Sequence, residues 1–156
     1  MEFDPARRVL EALEREGARY AIFGAVAVNI HGLARATQDL DIFIAPDADN
    51  VERLKRALRA VFADPAIEEI SASDLMGDYP AVQYVPQAGD FHLDILTRLG
   101  EAFRWEDLEI ERAPFEGLIV NVVTPSMLYR MKRGTVRFKD RIDAEELRRR
   151  FDLKDE

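Results

Sequence analysis

Apolar residues at Ala6, Val9, Leu10 and Leu13 recur at helical spacing between Asp4-Pro5 and Gly17. That pattern predicts a first helix, with Asp4 as its cap and Pro5 as its first residue. Arg19 to Phe23 then predicts a short strand leading into Gly24. Ala25 to Ile30 suits a short helix closed by His31-Gly32, and Asp39 to Ile44 reads as a strand stopped by Pro46. The next helix is capped by Asp47 or Asp49 and ends at Asp64-Pro65. Its apolar positions are Val51, Leu54, Leu58, Val61 and Phe62. Residues 66–80 are ambiguous, with a short edge strand at Ile67 to Ile70 and a loop from Ser71 to Pro80 as the expectation. Ala81 to Val85 and Phe91 to Leu96 read as a hairpin around a turn rich in Pro, Gly and Asp. Phe103 to Leu108 suggests a helical turn. Glu109 to Ala113 and Leu118 to Val123 suggest a second strand pair, turning at Pro114 to Gly117. Thr124 caps a helix that Pro125 opens, running to about Lys132 and broken by Gly134. Lys139 to Phe151 forms the last helix, with Ile142, Leu147 and Phe151 expected on its inner side.

This order of elements predicts an α/β (α+β) domain, a small mixed β-sheet flanked by helices. At 156 residues the chain is expected to be one domain, with a core from about 18 to 123 and a C-terminal helical part from about 124 to 152. No repeat or low-complexity tract interrupts it. The absence of a long apolar run argues against a membrane partner, and Met1-Glu2-Phe3-Asp4-Pro5 does not resemble a secretory leader. The sequence contains no cysteine, which removes disulfides and thiolate metal sites and leads to the expectation of a cytoplasmic protein. Metal chemistry would rest on carboxylates and at most two histidines, a donor set suited to Mg²⁺ or Mn²⁺ rather than Zn²⁺. The net charge of −8 argues against a surface coated for nucleic acid, but it is unevenly spread. Residues 127–156 carry 10 Lys and Arg against 7 Asp and Glu, while residues 1–126 carry 12 against 23. A basic tail facing an acidic body suits a cleft for a metal-bound polyphosphate, although a solvated helix gives the same charge pattern.

The chemistry concentrates in the strands. Asp39 and Asp41 lie two residues apart in an apolar run, so their side chains share one face about 6–7 Å apart. At an effective dielectric near 20 their repulsion is about 2–3 kcal/mol, and a divalent cation reverses its sign. Asp94, in Phe91-His92-Leu93-Asp94-Ile95-Leu96, is a third acid in the middle of an apolar strand. Three such acids brought together without a cation push at least one pKa upward. Gly24-Ala25 lies where a strand meets a helix and allows close backbone approach to phosphate. Arg35 and Thr37 precede the acids by four and two residues from Asp39 and are candidates for phosphate and hydrogen-bond contacts.

Gly24-Ala25, a short helix ending His31-Gly32, and then Arg35-x-Thr37-x-Asp39-x-Asp41 together resemble the minimal nucleotidyltransferases of the DNA polymerase β superfamily. The resemblance is closest to the abortive-infection toxin (AbiEii-like) branch. Leu93-Asp94-Ile95 matches the later strand acid of that group. Ser126 to Lys132 resembles its lysine helix, and Arg137 to Asp143 the segment that follows. The resemblance implies the polymerase β-like fold and transfer of a nucleoside monophosphate from an NTP, ATP among them, to an acceptor. It implies that Asp39 and Asp41 hold two metals, and that Asp94 binds the catalytic metal and helps deprotonate the acceptor. By the same resemblance Gly24 and Ala25 cradle phosphates and Lys132 neutralises the triphosphate. Asp140 or Asp143 orients Lys132 or a neighbouring arginine. Ala25 stands where many members have serine, so one hydroxyl contact is missing. The acceptor is left open among a tRNA end, a protein and a small molecule, and an antitoxin or a second copy is a candidate partner in a toxin–antitoxin or phage-defence setting.

Other residues have plainer explanations. His31 suits a helix C-terminus. His92 shares a face with Asp94 and is an outer-shell candidate. Trp105 and Tyr84 suit packing better than base stacking, and Arg148-Arg149-Arg150 suits ion pairing with Glu145 and Glu146 better than RNA contact. The alternatives to an enzyme are a catalytically silent nucleotide-binding or protein-interaction module of the same fold, and an unrelated α/β protein.

Overall fold

The computed structural model describes residues 4–33, 39–87, 91–100, 102–133 and 138–153, the side chains of Asp4 and residues 138–140 excepted. In chain order the elements are α1 (Asp4–Glu16), β1 (Tyr20–Phe23), α2 (Gly24–Ile30), β2 (Asp39–Ile44), α3 (Ala48–Val61) and α4 (Ala72–Met76). There follow β3 (Ala81–Tyr84), β4 (His92–Leu96), β5 (Arg98–Leu99), β6 (Phe103–Arg104), β7 (Ile110–Phe115), β8 (Leu118–Val123), α5 (Pro125–Arg133) and α6 (Phe138–Phe151). Six strands form a mixed sheet in the order β3-β4-β2-β1-β8-β7, and β5 and β6 pair separately. β1 runs antiparallel to β2 and parallel to β8, while β2 and β4 are parallel. The expected hairpin is β3–β4, with Ala81 opposite Leu96. The second pair is β7–β8, with its turn narrowed to Glu116-Gly117, both at positive φ.

Helices flank this sheet. Leu40, Ile42 and Ile44 are fully buried on one face of β2, and Phe43 is fully buried on the other, against Phe23. A strand covered on both sides has its polar positions restricted to its ends, and Asp39 and Asp41 occupy the N-terminal end of β2. The α1–β1–β8 seam is closed by polar contacts. Tyr20 donates to Glu14 at 2.6 Å, and the Asn121 amide donates to the Tyr20 oxygen at 3.2 Å. Buried Asn50 bonds to both backbone groups of Arg19 and to the Ala45 carbonyl, which fixes α3 beside the start of β1. Of the two candidate caps for α3, Asp47 serves, accepting from the Asn50 amide. Thr124 caps α5, accepting from the Met127 amide at 3.2 Å.

Several expectations are corrected. Ile67 to Ile70 is no edge strand. Pro65–Glu69 is a 3₁₀ helix, because Asp64 caps the Ala66 amide and Pro65 occupies the first turn, turning Ile67 into the core. The expected loop from Ser71 contains α4, which the Ser71 hydroxyl caps. The turn expected at Phe103 to Leu108 is the strand β6 followed by a 3₁₀ turn at Trp105–Asp107. On α6, Leu147 is buried as expected, but Ile142 is 42% exposed, and Asp143 and Ala144 take the inner side. Phe151 lies at the margin, edge-on to His31. Among the described residues, no helix is long and apolar enough to cross a membrane.

Candidate active site

The parallel β2–β4 ladder sets Asp39 opposite His92 and Asp41 opposite Asp94. Register therefore does what sequence spacing cannot, bringing the third acid level with the second. The Asp41 and Asp94 side chains are hydrogen-bonded to each other. Burial, that shared bond and the negative charges of Asp94 and Asp39 push the Asp41 carboxyl up to about 8, while the Lys132 charge opposes them. Asp94 also accepts from Gln83 Nε2 at 3.1 Å, a contact set by the β3–β4 register. Asp39 stands at the rim, with His92 Nδ1 3.2 Å from its Oδ1.

Gly24 opens α2 with φ +71°, directly beside Asp41. A Cβ at this position would fall on the Asp41 carboxylate, 2.8 Å from its Cγ. Phe23, the residue before the helix, provides no side-chain cap to the first turn, which begins at Gly24 and Ala25. The glycine thus provides both the left-handed turn and the space that the carboxylate fills.

Lys132, near the end of α5, is 9% exposed and pairs at 3.1 Å with Asp143 of α6, itself 4% exposed. Of the two acids expected near this lysine, Asp143 makes the contact. The Asp140 side chain lies outside the described residues, as do Arg35 and Thr37. A buried pair of this kind is costly to break because the surviving charge keeps its desolvation penalty. Asp143→Ala is expected to lower stability by about 3 kcal/mol in urea denaturation, with the double variant Lys132→Met/Asp143→Leu recovering most of the loss.

His31 ends α2 as expected, but its side chain is tied elsewhere, with Nε2 2.8 Å from the Val123 carbonyl. Arg150 donates to the His31 carbonyl at 3.0 Å, so the end of α6 is fastened to the end of α2. Arg148 and Arg149 pair with Glu145, as their spacing suggested. Tyr84 is buried and donates to Asp64, and Trp105 lies away from the carboxylates beside Pro46 and Thr97. Sequence reasoning missed Gln83, although the expected hairpin contained the signal: its register alone sets residue 83 against residue 94.

The donors suit a hard divalent cation in kind, since they are carboxylate oxygens, and the two adjacent ones crowd negative charge that a cation would offset. Among the described residues no group of three acids or histidines is closed around a single point. The reason is visible in the pairing, since Asp41 turns to Asp94 and Asp39 to His92.

The mixed sheet thus sets acids at the start of one strand and in the middle of its parallel neighbour, with a glycine turn beside them. Solved structures of nucleotidyltransferases share this fold. ANT(2'')-Ia in complex with adenylyl-2''-tobramycin superposes with a TM-score of 0.60 at 11% identity, over 94% of this chain and 87% of that one. The lincosamide antibiotic adenylyltransferase LnuA, lincomycin-bound, gives 0.59 at 12% identity, over 95% and 97%. An antigenic nucleotidyltransferase-like protein from Paracoccidioides brasiliensis gives 0.53 at 16%, over 92% and 74%. No protein-family profile matches the sequence, and no curated protein matches it significantly.

Proposed function

We propose that this protein is a metal-dependent nucleotidyltransferase, moving a nucleoside monophosphate from an NTP to an acceptor hydroxyl. The observation that carries the reading is the Asp41–Asp94 pair, set by register beside the Gly24 turn in a nucleotidyltransferase fold. Asp41 and Asp94, joined by Asp39, are the residues that would hold Mg²⁺ or Mn²⁺. When bound, the cation supplies charge neutralisation at the triphosphate. The acceptor oxygen forms a bond to the α-phosphorus, and the bond to the pyrophosphate oxygen breaks, its electron pair leaving with pyrophosphate. Asp94, steadied through one oxygen by Gln83, takes the acceptor proton. Lys132 contributes positive charge beside Asp41 and is held there by Asp143. Gly24 and Ala25 offer backbone N–H groups to the departing phosphates, and Arg35 and Thr37 complete the phosphate contacts in this reading. Most of the rate enhancement then comes from positioning and charge.

A small hydroxylated molecule is the acceptor with most support, because ANT(2'')-Ia and LnuA carry a tobramycin adduct and lincomycin respectively. An RNA end or a protein, as in a toxin–antitoxin role, is the competing acceptor class. The test is incubation of the purified protein with α-³²P-labelled ATP, GTP, CTP or UTP, Mg²⁺ or Mn²⁺, and a panel of aminoglycosides, tRNA and cell extract. Label is expected to appear in one acceptor class and to disappear with EDTA. Nucleotide binding without transfer to any acceptor would assign the protein to the silent-module alternative.

A further inference from the structure

A cavity lies at the other end of the sheet. Pro46 follows β2, Thr97 follows β4 and Pro80 precedes β3, so these residues mark the end opposite Asp41, Asp94 and Gln83. Along the strands the separation is about 10–16 Å, at the usual rise per residue. Here a cavity of about 320 Å³ opens between these strand ends, α4 and the β5–β6 pair. Its size is at the lower end of the range for small-ligand sites.

The walls combine three kinds of group. Leu75 and Met76 supply apolar surface, and Trp105 supplies an aromatic plane. Arg98 and Arg104 supply charge, and they are direct cross-strand partners in the β5–β6 ladder. Like charges directly opposite one another destabilise a strand pair. Neither guanidinium has an ion-pair partner among the described residues, although Glu106 also lines the cavity. The strand pair is two residues long on each side and gains little from its own ladder to offset that repulsion. The anchoring is firm on the other wall, where Thr97 donates its hydroxyl to the Leu75 carbonyl and its amide to the Pro80 carbonyl at 2.8 Å. An anion between the two arginines converts the repulsion into two charge-assisted contacts, and a ring on the same ligand meets Trp105.

We propose that this cavity binds a nucleotide unit, with its phosphate between Arg98 and Arg104 and its base against Trp105, separately from the carboxylate site. The unit comes either from a free nucleotide or from the end of a single RNA strand. This assignment stands whether or not the carboxylate site transfers nucleotides.

Trp105 is the single tryptophan of the chain, so intrinsic fluorescence reports on this cavity. The experiment titrates full-length protein in EDTA with AMP, with a short oligoribonucleotide and with inorganic phosphate. Saturable quenching is expected with AMP, the oligonucleotide or both, and the tighter of the two identifies the source. Phosphate alone is expected to bind at least tenfold more weakly. Arg98→Gln/Arg104→Gln is expected to weaken binding at least tenfold, while Asp41→Asn leaves it unchanged. Both arginines are exposed and removing them relieves repulsion, so the double variant is expected to melt no lower than the wild type. Arg98→Lys/Arg104→Lys provides a charge-retaining check, with intermediate affinity. Absence of saturable quenching, equal binding of phosphate and AMP, or indifference to the arginine substitutions would overturn the proposal.

Discussion

Asp41→Asn is expected to reduce nucleotidyl transfer by at least about 10²–10³-fold, the scale seen when one group that stabilises transition-state charge is lost. It is also expected to make the metal-free protein more stable at alkaline pH. Asparagine keeps the shape and can still bond to Asp94, but it removes a charge from a crowded cluster. The Asp41 carboxyl is pushed from 3.8 to about 8 in the folded protein, by burial first and by Asp94 and Asp39 after that. Between those values the folded state retains a proton that the unfolded chain has released. The associated stability is complete below the unfolded value and is lost as pH rises through about 8. Thermal melts in EDTA between pH 5 and pH 9 should therefore show the variant gaining on the wild type as pH rises. Mg²⁺ should raise the melting temperature of the wild type at pH 8 more than that of the variant. A variant that is inactive but equally sensitive to pH would remove Asp41 from the centre of the cluster. Loss of transfer combined with a gain in stability separates a functional carboxylate from a structural one.

Gly24→Ala is expected to cost both activity and stability, and the two losses have separate origins. An alanine at φ +71° carries the penalty of the left-handed region, about 1–2 kcal/mol, which lowers the melting temperature by roughly 2–8 °C in a chain of this size. The added methyl group also displaces the Asp41 carboxylate. A shift on the order of 1 Å at a reacting group can cost about 10²-fold in rate. Gly100→Ala is the matched control. Gly100 has φ +58°, but a Cβ there meets nothing within 4 Å. It should lose comparable stability and retain transfer. Equal activity losses in the two variants would mean that the Gly24 effect is only backbone strain.

The sequence made the carboxylates legible because strand alternation and an apolar setting left few other roles for Asp39, Asp41 and Asp94. Bringing Asp94 level with Asp41 required the β2–β4 pairing, which joins residues more than fifty positions apart and leaves no local pattern. Elements with agreeing signals, such as α1, α3 and α5, were readable from period and cap together. Ile67 to Ile70 failed because a short apolar run fits a strand or one helical turn equally well, and the outcome was decided by Asp64 and Pro65 just upstream. The choice between Asp140 and Asp143 could not be made from sequence, since residues three apart share a helix face. Ile142 was misjudged because α6 buries Asp143 against Lys132, giving an inner position to a charge.

The position of β1 between β2 and β8 has a consequence for the order in which the protein is made. Its antiparallel neighbour follows within about twenty residues, whereas the parallel one, through Ile22 and Val122, is a hundred residues downstream. During synthesis the half-sheet bearing all three acids is complete while one edge of β1 remains bare. That edge exposes Tyr-Ala-Ile-Phe, an apolar run without a charged gatekeeper, until β8 arrives. The nascent chain is thus most open to strand-to-strand association at the stage when the three strand carboxylates are already in place, and the late hairpin β7–β8 is what ends that exposure.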